Sequence, residues 1–186
     1  RLWGSPLDDE IIDAVKAGKN HPKHNYPLPA SVKPFYHDQL DEALADTDII
    51  VMAITSDALG DVFNMVTPFI KPGMIIASVT KGFNYNKDGR IVLLPEILAE
   101  RLPAELKGKI DFVFVAGPCK AVEVLWGTPT SVTYASKNIN AAEKMRKTMQ
   151  TDVYNIDVTD DVTGTEICAA MKNAYCVGIE IGRAHV

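Results

Sequence analysis

The chain of 186 residues has few cysteines, no cluster of basic residues and no long apolar run. Its three cysteines, Cys119, Cys168 and Cys176, lack C-x-x-C spacing, which argues against a disulfide framework or a metal site and fits a reducing cytoplasm. The net charge of -5 argues against nucleic acid or an anionic membrane as a partner. No apolar run reaches the roughly 18 residues that suggest a membrane span.

The sequence also lacks G-x-G-x-x-G, the pattern that follows the first strand of a dinucleotide-binding sheet. Leu2–Trp3 is instead typical of the end of a strand already under way. If that strand is the second in the usual 3-2-1-4-5-6 order, the missing first strand belongs at the centre of the sheet. We therefore expect an incomplete sheet with unpaired strand edges.

The last seven residues, 180–186, depart from the pattern of the helix before them. They read Glu-Ile-Gly-Arg-Ala-His-Val, which a widely used sequencing adapter encodes in one reading frame. We expect this tail to be adapter-derived, and we leave it out of the fold. A natural codon run for the same residues in the native gene would contradict that expectation.

Between these ends, strand-like and helical segments alternate. Apolar strand-like runs cover residues 49–54, 74–79, 111–115, 130–135 and 153–158. The continuous run 49–54 suits a parallel strand that is buried on both faces. Residues 84–90 are polar and predict a loop. The alternation predicts an α/β fold with a doubly wound sheet over residues 1–158.

Three of the strand ends carry candidate ligand-binding residues. Ligands of doubly wound sheets bind beyond the carboxyl ends of the strands, here Thr55-Ser56, Lys81-Gly82 and Gly117-Pro118. Lys81 is well placed to reach a ligand, because the glycine after it permits an unusual backbone angle. A surface lysine in a turn remains an open alternative.

Residues 163–179 predict a helix that carries one polar stripe. Thr159, Asp160 and Asp161 are candidates for its cap, and the stripe consists of Thr165, Glu166, Lys172 and Asn173. Because the other faces are apolar or small, we expect the helix to be largely buried and the stripe to line a cleft. A lysine in such a cleft gives up its proton more readily, which suits general acid–base catalysis. The alternative is that Lys172 reaches solvent and the stripe is a solvated face.

Several separated motifs then converge on one family. In chain order they are Leu2-Trp3-Gly4, Ala53-Ile54-Thr55-Ser56, Ser78-Val79-Thr80-Lys81-Gly82, Ala116-Gly117-Pro118, Ala121-Val122-Glu123-Val124, Thr165-Glu166-Ile167 and Met171-Lys172-Asn173. Their order and spacing resemble NAD(P)-dependent glycerol-3-phosphate dehydrogenases from residue 1 to about residue 179. The resemblance implies a partial Rossmann-like domain over 1–158, then the first helix, 159–179, of an all-α substrate domain.

The resemblance also implies a reaction and a set of residue roles. The family interconverts dihydroxyacetone phosphate and sn-glycerol 3-phosphate with NAD or NADP, which feeds glycerophospholipid synthesis. By similarity, Lys172 is the catalytic acid/base, Lys81 and Asn173 lie beside the substrate, and Gly117 contacts it. The resemblance further implies a homodimer at full length. The residues implied to bind the cofactor are Trp3, Thr55, Ser56, Lys81, Ala121 and Glu123.

The sequence departs from the family pattern in places. Cys119-Lys120 stands where the family often has serine and a hydrophobic residue, so we expect different contacts near Gly117-Pro118. The glycine-rich loop and nearly all of the helical domain are missing, so we expect an inactive fragment. Gly4-Ser5-Pro6 gives no clear preference between NAD and NADP. Two alternatives remain: a β-hydroxyacid-type dehydrogenase such as a ketopantoate reductase, or a nucleotide-binding module without catalysis.

Overall fold

The computed structural model describes residues 1–86 and 88–183. The chain divides into two compact units, Arg1–Thr47 and a larger unit that begins at Asp48. The predicted domain boundary after residue 158 stays a prediction. The elements of the first unit are β1 (Leu2–Trp3), α1 (Asp9–Lys16), β2 (Pro34–Phe35) and α2 (Leu40–Leu44).

The first unit is built around a two-stranded parallel sheet. Leu2 lies opposite Pro34, and Trp3 lies opposite Phe35. Helix α1 packs closely on the chain after β1, since a Cβ on Gly4 would lie 2.7 Å from Cγ1 of the buried Ile12. Close packing of this kind fixes the start of α1 against the end of β1.

The second unit alternates strands and helices, as the sequence predicts. Its elements are β3 (Ile49–Met52), α3 (Ser56–Val66), β4 (Ile75–Ser78), β5 (Phe83–Tyr85), β6 (Ile91–Leu93), α4 (Leu94–Arg101), β7 (Asp111–Ala116), α5 (Ala121–Leu125), β8 (Thr130–Ala135), α6 (Ile139–Met149), β9 (Tyr154–Thr159) and α7 (Val162–Arg183).

Five of these strands form one sheet in the order β3-β4-β7-β8-β9. Strands β3, β4 and β7 are parallel to one another; β8 is antiparallel to β7, and β9 is parallel to β8. Among the described residues, β1 pairs with β2 alone and β3 with β4 alone, so the predicted unpaired strand edges are present.

The two neighbouring strands β3 and β4 differ in burial. All four positions of β4 are buried, as expected for a parallel strand that is covered on both faces. In β3, Val51 is 43% exposed, so the predicted burial of that run on both faces is wrong. The physical reason is its place at the edge of the sheet, where one face is left partly uncovered.

Helices cover both faces of the five-stranded sheet, which confirms the predicted doubly wound α/β architecture. On one face, the ring of Phe63 in α3 lies 6.1 Å from that of Phe112 in β7. On the other face, buried residues of α6, among them Met145, form a core with residues such as Val113 of β7. The alternation of Phe112 and Val113 between these faces is the period-two pattern of a strand.

The predicted loop over residues 84–90 is correct for residues 86 and 88–90 but wrong for Asn84 and Tyr85, which belong to a strand. Strands β5 and β6 form an antiparallel hairpin there, with Phe83 opposite Leu93 and Tyr85 opposite Ile91. The hairpin closes through a bond from the Asn86 N–H to the Arg90 carbonyl, at 2.9 Å. The strands are only three residues long, so each offers little periodicity to detect.

Helix α7 begins where the sequence predicts and is exposed where burial is predicted. Oδ1 of Asp161 accepts a hydrogen bond from the Gly164 N–H at 2.8 Å, which confirms Asp161 as a cap. Val162 and Glu166 are buried, but every position from 172 to 179 is exposed. The expectation of a largely buried helix is therefore wrong for its second half.

Helix α7 continues through Arg183, past the predicted native end at residue 179. The last three residues of the predicted adapter-derived tail, 184–186, lie outside the described residues. Within residues 1–86 and 88–183, no helix is long and apolar enough to cross a membrane.

Candidate active site

The carboxyl ends of β3 and β4 lie side by side in the second unit. Thr55 has an extended backbone and precedes the first residue of α3, Ser56. The side-chain amide of Asn84 donates a hydrogen bond to the Ser56 carbonyl at 3.0 Å. A Cβ on Gly82 would lie 3.7 Å from the Ser56 hydroxyl oxygen, so the loops after β3 and β4 adjoin. Two of the three predicted ligand-binding positions are thus neighbours.

Lys81 joins the loop after β4 to the loop after β7. Its Nζ donates a hydrogen bond to the Gly117 carbonyl at 3.1 Å, and the Cys119 N–H donates to the same oxygen at 2.9 Å. Lys81 is nevertheless exposed. An ammonium group has three donors, so this arrangement leaves donors of Lys81 that can face a ligand.

Gly117 holds a backbone shape that its surroundings reserve for glycine. Its φ is +133°, in a region that residues with side chains rarely adopt. A Cβ at this position would lie 2.9 Å from the Ser131 carbonyl oxygen and 3.0 Å from Cα of Val132. Since these atoms belong to the backbone of β8, they cannot move aside cheaply. The structure therefore explains why position 117 needs a glycine, which the sequence alone does not.

Glu166 is the most deeply buried ionisable side chain near this edge. It is 1% exposed, and neither of its carboxyl oxygens has a hydrogen-bond partner among the described residues. Burial raises the pKa of Glu166 to about 7, and the positive charge of Lys81 acts in the opposite direction. The sequence places Glu166 in the polar stripe without a role of its own. The feature of the sequence that could have drawn attention to Glu166 is that it is a lone carboxylate in a turn of small and apolar residues.

The structure exposes Lys172 and Asn173 and does not bring them into contact with Lys81. Neither side chain has a hydrogen bond or an ion pair within the described parts of the chain. The burial expected for Lys172 is absent, because nothing described packs on α7 beyond Met171. Asn173 lies seven residues after Glu166, about 10 Å along the helix and on nearly the same face.

The remaining predicted cofactor residues lie in three places. Trp3 belongs to the first unit, where its Nε1 donates a hydrogen bond to the His37 carbonyl at 3.2 Å. Ala121 begins α5, and Glu123 of the same helix forms an ion pair with Lys120 at 3.5 Å. Thr55, Ser56 and Lys81 gather at the strand ends described above.

A cavity of about 480 Å³ lies elsewhere in the second unit, near the amino end of β7. Its lining is mostly apolar and contains none of the predicted site residues; it includes Pro95, Phe112, Phe114 and Val162. Sequence reasoning gave no indication of this cavity. Within the described ranges, no group of three histidine, cysteine or acidic side chains could hold a metal ion.

Known proteins match the chain along most of its length. Residues 1–142 match the family model described as NAD-dependent glycerol-3-phosphate dehydrogenase N-terminus. An NADP(+)-dependent glycerol-3-phosphate dehydrogenase of Archaeoglobus fulgidus is 31% identical over 179 residues, which are 96% of this chain and 52% of that protein. A glycerol-3-phosphate dehydrogenase [NAD(P)+] of Lysinibacillus sphaericus is 36% identical over 97% of this chain and 57% of its own length.

The fold has a solved counterpart in the same family. A crystal structure of glycerol-3-phosphate dehydrogenase from Coxiella burnetii matches with a TM-score of 0.79 and 28% identity, over 93% of this chain and 50% of that one. The second unit therefore has the expected Rossmann-like fold, and the chain spans about half the length of the curated relatives it matches. On these matches, the chain belongs to the family of NAD-dependent glycerol-3-phosphate dehydrogenases, in their N-terminal part.

Proposed function

We propose that this chain is part of an oxidoreductase that interconverts dihydroxyacetone phosphate and sn-glycerol 3-phosphate with NAD or NADP. The observation that carries the proposal is the bond from the exposed Lys81, after β4, to the Gly117 carbonyl, after β7. A cation thereby stands at the carboxyl ends of parallel strands, where ligands of such sheets bind. Lys81 would attract the negative charge of a phosphorylated substrate.

The strand ends also fit one part of a nicotinamide cofactor. Gly82 has a φ of +126° and no side chain to block a flat ring at this edge. Thr55 and Ser56 begin α3, whose first N–H groups point outward from the strand ends. Ala121 and Glu123 follow on α5. When bound, the cofactor supplies or accepts a hydride.

Lys172 would supply the proton in the reductive direction. As a hydride reaches the ketone carbon, the carbonyl oxygen becomes an alkoxide, and an ammonium group beside it stabilises that charge. The Nζ–H bond of Lys172 then breaks and the proton passes to the oxygen, which leaves a neutral amine that solvent reprotonates. Lys81 and Asn173 would orient the substrate by hydrogen bonds, while Gly117 would contact it through its backbone.

The finer features of the proposal follow from the same family membership. A small phosphorylated metabolite is the expected partner, and we propose that the complete enzyme is a cytoplasmic homodimer. Nothing in the charge of the chain favours nucleic acid or a membrane as an additional partner, since its net charge is -5. The product would enter glycerophospholipid synthesis.

A chimera tests the activity directly. Residues 1–179 would replace the aligned segment of the Archaeoglobus fulgidus relative, which supplies the rest of the chain. We expect the chimera to oxidise NADPH or NADH only when dihydroxyacetone phosphate is present. Lys172→Met should lower kcat by about 10³-fold and leave cofactor binding intact, because it removes the proton donor alone.

The matched control is Lys147→Met, because Lys147 is an exposed lysine of α6 without an ion pair among the described residues. This variant should retain the activity of the chimera. Turnover that survives Lys172→Met would remove Lys172 from its proposed role. A well-folded chimera that binds cofactor without any turnover would favour the non-catalytic nucleotide-binding module.

A further inference from the structure

The loops after β3 and β4 leave the ladder of backbone hydrogen bonds before they reach the candidate site. The last of these bonds runs from the Val79 N–H to the Met52 carbonyl at 3.1 Å. Beyond it, no backbone hydrogen bond joins the two loops in the described part of the chain. Because Thr55, Ser56 and Lys81 all lie beyond this point, their relative position depends on side chains.

Thr80 makes the first side-chain bond between the two loops. Its hydroxyl donates to the Ile54 carbonyl at 2.7 Å, and the residue is 5% exposed. The Thr80 N–H donates to the hydroxyl oxygen of Ser78, which is also buried, at 3.3 Å. A buried hydroxyl group needs a hydrogen-bond partner, and here the backbone of the neighbouring loop supplies it. Thr80 therefore fixes its own loop to the residue before Thr55.

Asn84 makes the second bond, through an amide that is held at both ends. Its Nδ2 donates to the Ser56 carbonyl at 3.0 Å, and its Oδ1 accepts from the Tyr85 N–H at 2.7 Å. Rotating the amide by 180° would break both bonds, since the oxygen cannot donate and the nitrogen cannot accept. The carbonyls that Thr80 and Asn84 bind thus lie on either side of Thr55.

Lys81 lies between these two anchors in the sequence. It follows Thr80 directly and precedes Asn84 by three residues, and its Nζ donates to the Gly117 carbonyl at 3.1 Å. Three side-chain bonds therefore connect the loops after β3, β4 and β7. Groups that bind ligand are effective when neighbouring hydrogen bonds hold them in place before the ligand arrives.

We propose that Thr80 and Asn84 are positioning residues, which clamp the Thr55–Ser56 turn against the loop of Lys81. They act through the residues that they hold. For the reaction, this rests on the proposed function, in which the turn contacts the cofactor and Lys81 orients the substrate. The clamp then sets how the hydride donor and the ketone carbon meet, and a small misplacement of reacting groups lowers the rate more than it weakens binding.

The first test uses NMR on the chain itself. Thr80→Val keeps the shape of the side chain without its hydroxyl, so the carbonyl carbon-13 resonance of Ile54 should move upfield as its hydrogen bond is lost. Amide exchange at Thr55 and Ser56 should become faster. Thr80→Ser keeps the hydroxyl and should behave as the unaltered chain in both respects.

Asn84→Asp tests the second anchor in the same way. At neutral pH its carboxylate still accepts from the Tyr85 N–H but cannot donate to the Ser56 carbonyl, whose resonance should move upfield. Asn86→Asp is the matched control in the same hairpin. The Asn86 side chain accepts from the N–H groups of residues 88 and 90, which a carboxylate can also do, so this variant should leave the turn unchanged.

The second test measures turnover in the chimera, after denaturant unfolding has verified that each variant is folded. Thr80→Val and Asn84→Asp should each lower kcat by about tenfold, with much smaller changes in the KM for cofactor and for dihydroxyacetone phosphate. Thr80→Ser and Asn86→Asp should keep the kcat of the chimera.

Two results would overturn the proposal. One is a Thr55–Ser56 turn that keeps its resonances and its exchange rates in Thr80→Val and Asn84→Asp. The other is a kcat that does not fall in these variants, or that falls equally in Thr80→Ser and Asn86→Asp. A chimera without any activity would instead count against the dehydrogenase assignment, and the NMR experiment on the chain would still decide whether the clamp exists.

Discussion

The two halves of α7 have similar compositions, but among the described residues only the first half has buried positions. In the first half, Val162 is 6% exposed and Glu166 is 1% exposed. In the second half, Tyr175 is 62% exposed and Val177 is 59% exposed, although both are large and apolar. The burial of a helix is therefore decided by what packs on it. The half beside the sheet holds the buried carboxyl group of Glu166, and the exposed positions that follow include the proposed proton donor, Lys172.

The largest expected effect is on the loop that Lys81 contacts. In Gly117→Ala, the new Cβ would clash with the backbone of β8 at a φ of +133°. We expect a loss of about 3 kcal/mol or more in the free energy of unfolding, measured by chemical denaturation. Gly82→Ala is the control, since its φ of +126° carries a similar backbone strain, while the nearest described atom would lie 3.7 Å from the added Cβ, in ordinary contact. Equal losses in both variants would show that backbone strain alone, without the clash, matters at Gly117.

A smaller effect should separate the two halves of α7 directly. Val162→Ala removes two methyl groups from a buried position and should cost about 1 to 2 kcal/mol of unfolding free energy. Val177→Ala makes the same change at an exposed position and should stay within about 0.5 kcal/mol of the unaltered chain. Equal losses in denaturant unfolding would mean that the second half is also packed.

The smallest effect concerns the start of the helix. Asp161→Ala removes the oxygen that accepts from the Gly164 N–H and should cost about 1 kcal/mol. Asp160→Ala removes a neighbouring acid whose side chain caps no described N–H group and should cost much less. Thermal unfolding of the two variants would compare them. A larger loss of stability for Asp160→Ala would show that Asp160, and not Asp161, caps the helix.

Much of the fold could be predicted because its long strands are apolar runs of the expected length. Strand β8 begins and ends at the predicted residues, 130 and 135, and β7, which covers residues 111–116, differs from its predicted range of 111–115 by one residue. The hairpin of β5 and β6 was missed since its strands are short and half-exposed and are separated by polar residues. Periodicity cannot detect three-residue strands that pair mainly with each other.

The proximity of two candidate site residues could be predicted for a different reason. The rule that ligands bind at the carboxyl ends of strands identified Lys81 and Gly117, and the structure joins these two by a hydrogen bond. The burial of Glu166 could not be predicted, because it depends on which strands the fold packs against the first turns of α7. The exposure of Lys172 likewise depends on contacts that the helix sequence does not encode.

The pH dependence of stability tests most directly the central claim that the first half of α7 buries an ionisable carboxylate. Because the pKa of Glu166 rises from 4.5 to about 7 on folding, the folded chain binds more protons in that interval. The contribution of Glu166 to stability is complete below pH 4.5 and is lost as the pH rises through 7. Denaturant unfolding of the unaltered chain, relative to Glu166→Gln, should therefore lose about 3 kcal/mol between pH 4.5 and 8. A difference between the two chains that does not change with pH would contradict the burial of Glu166.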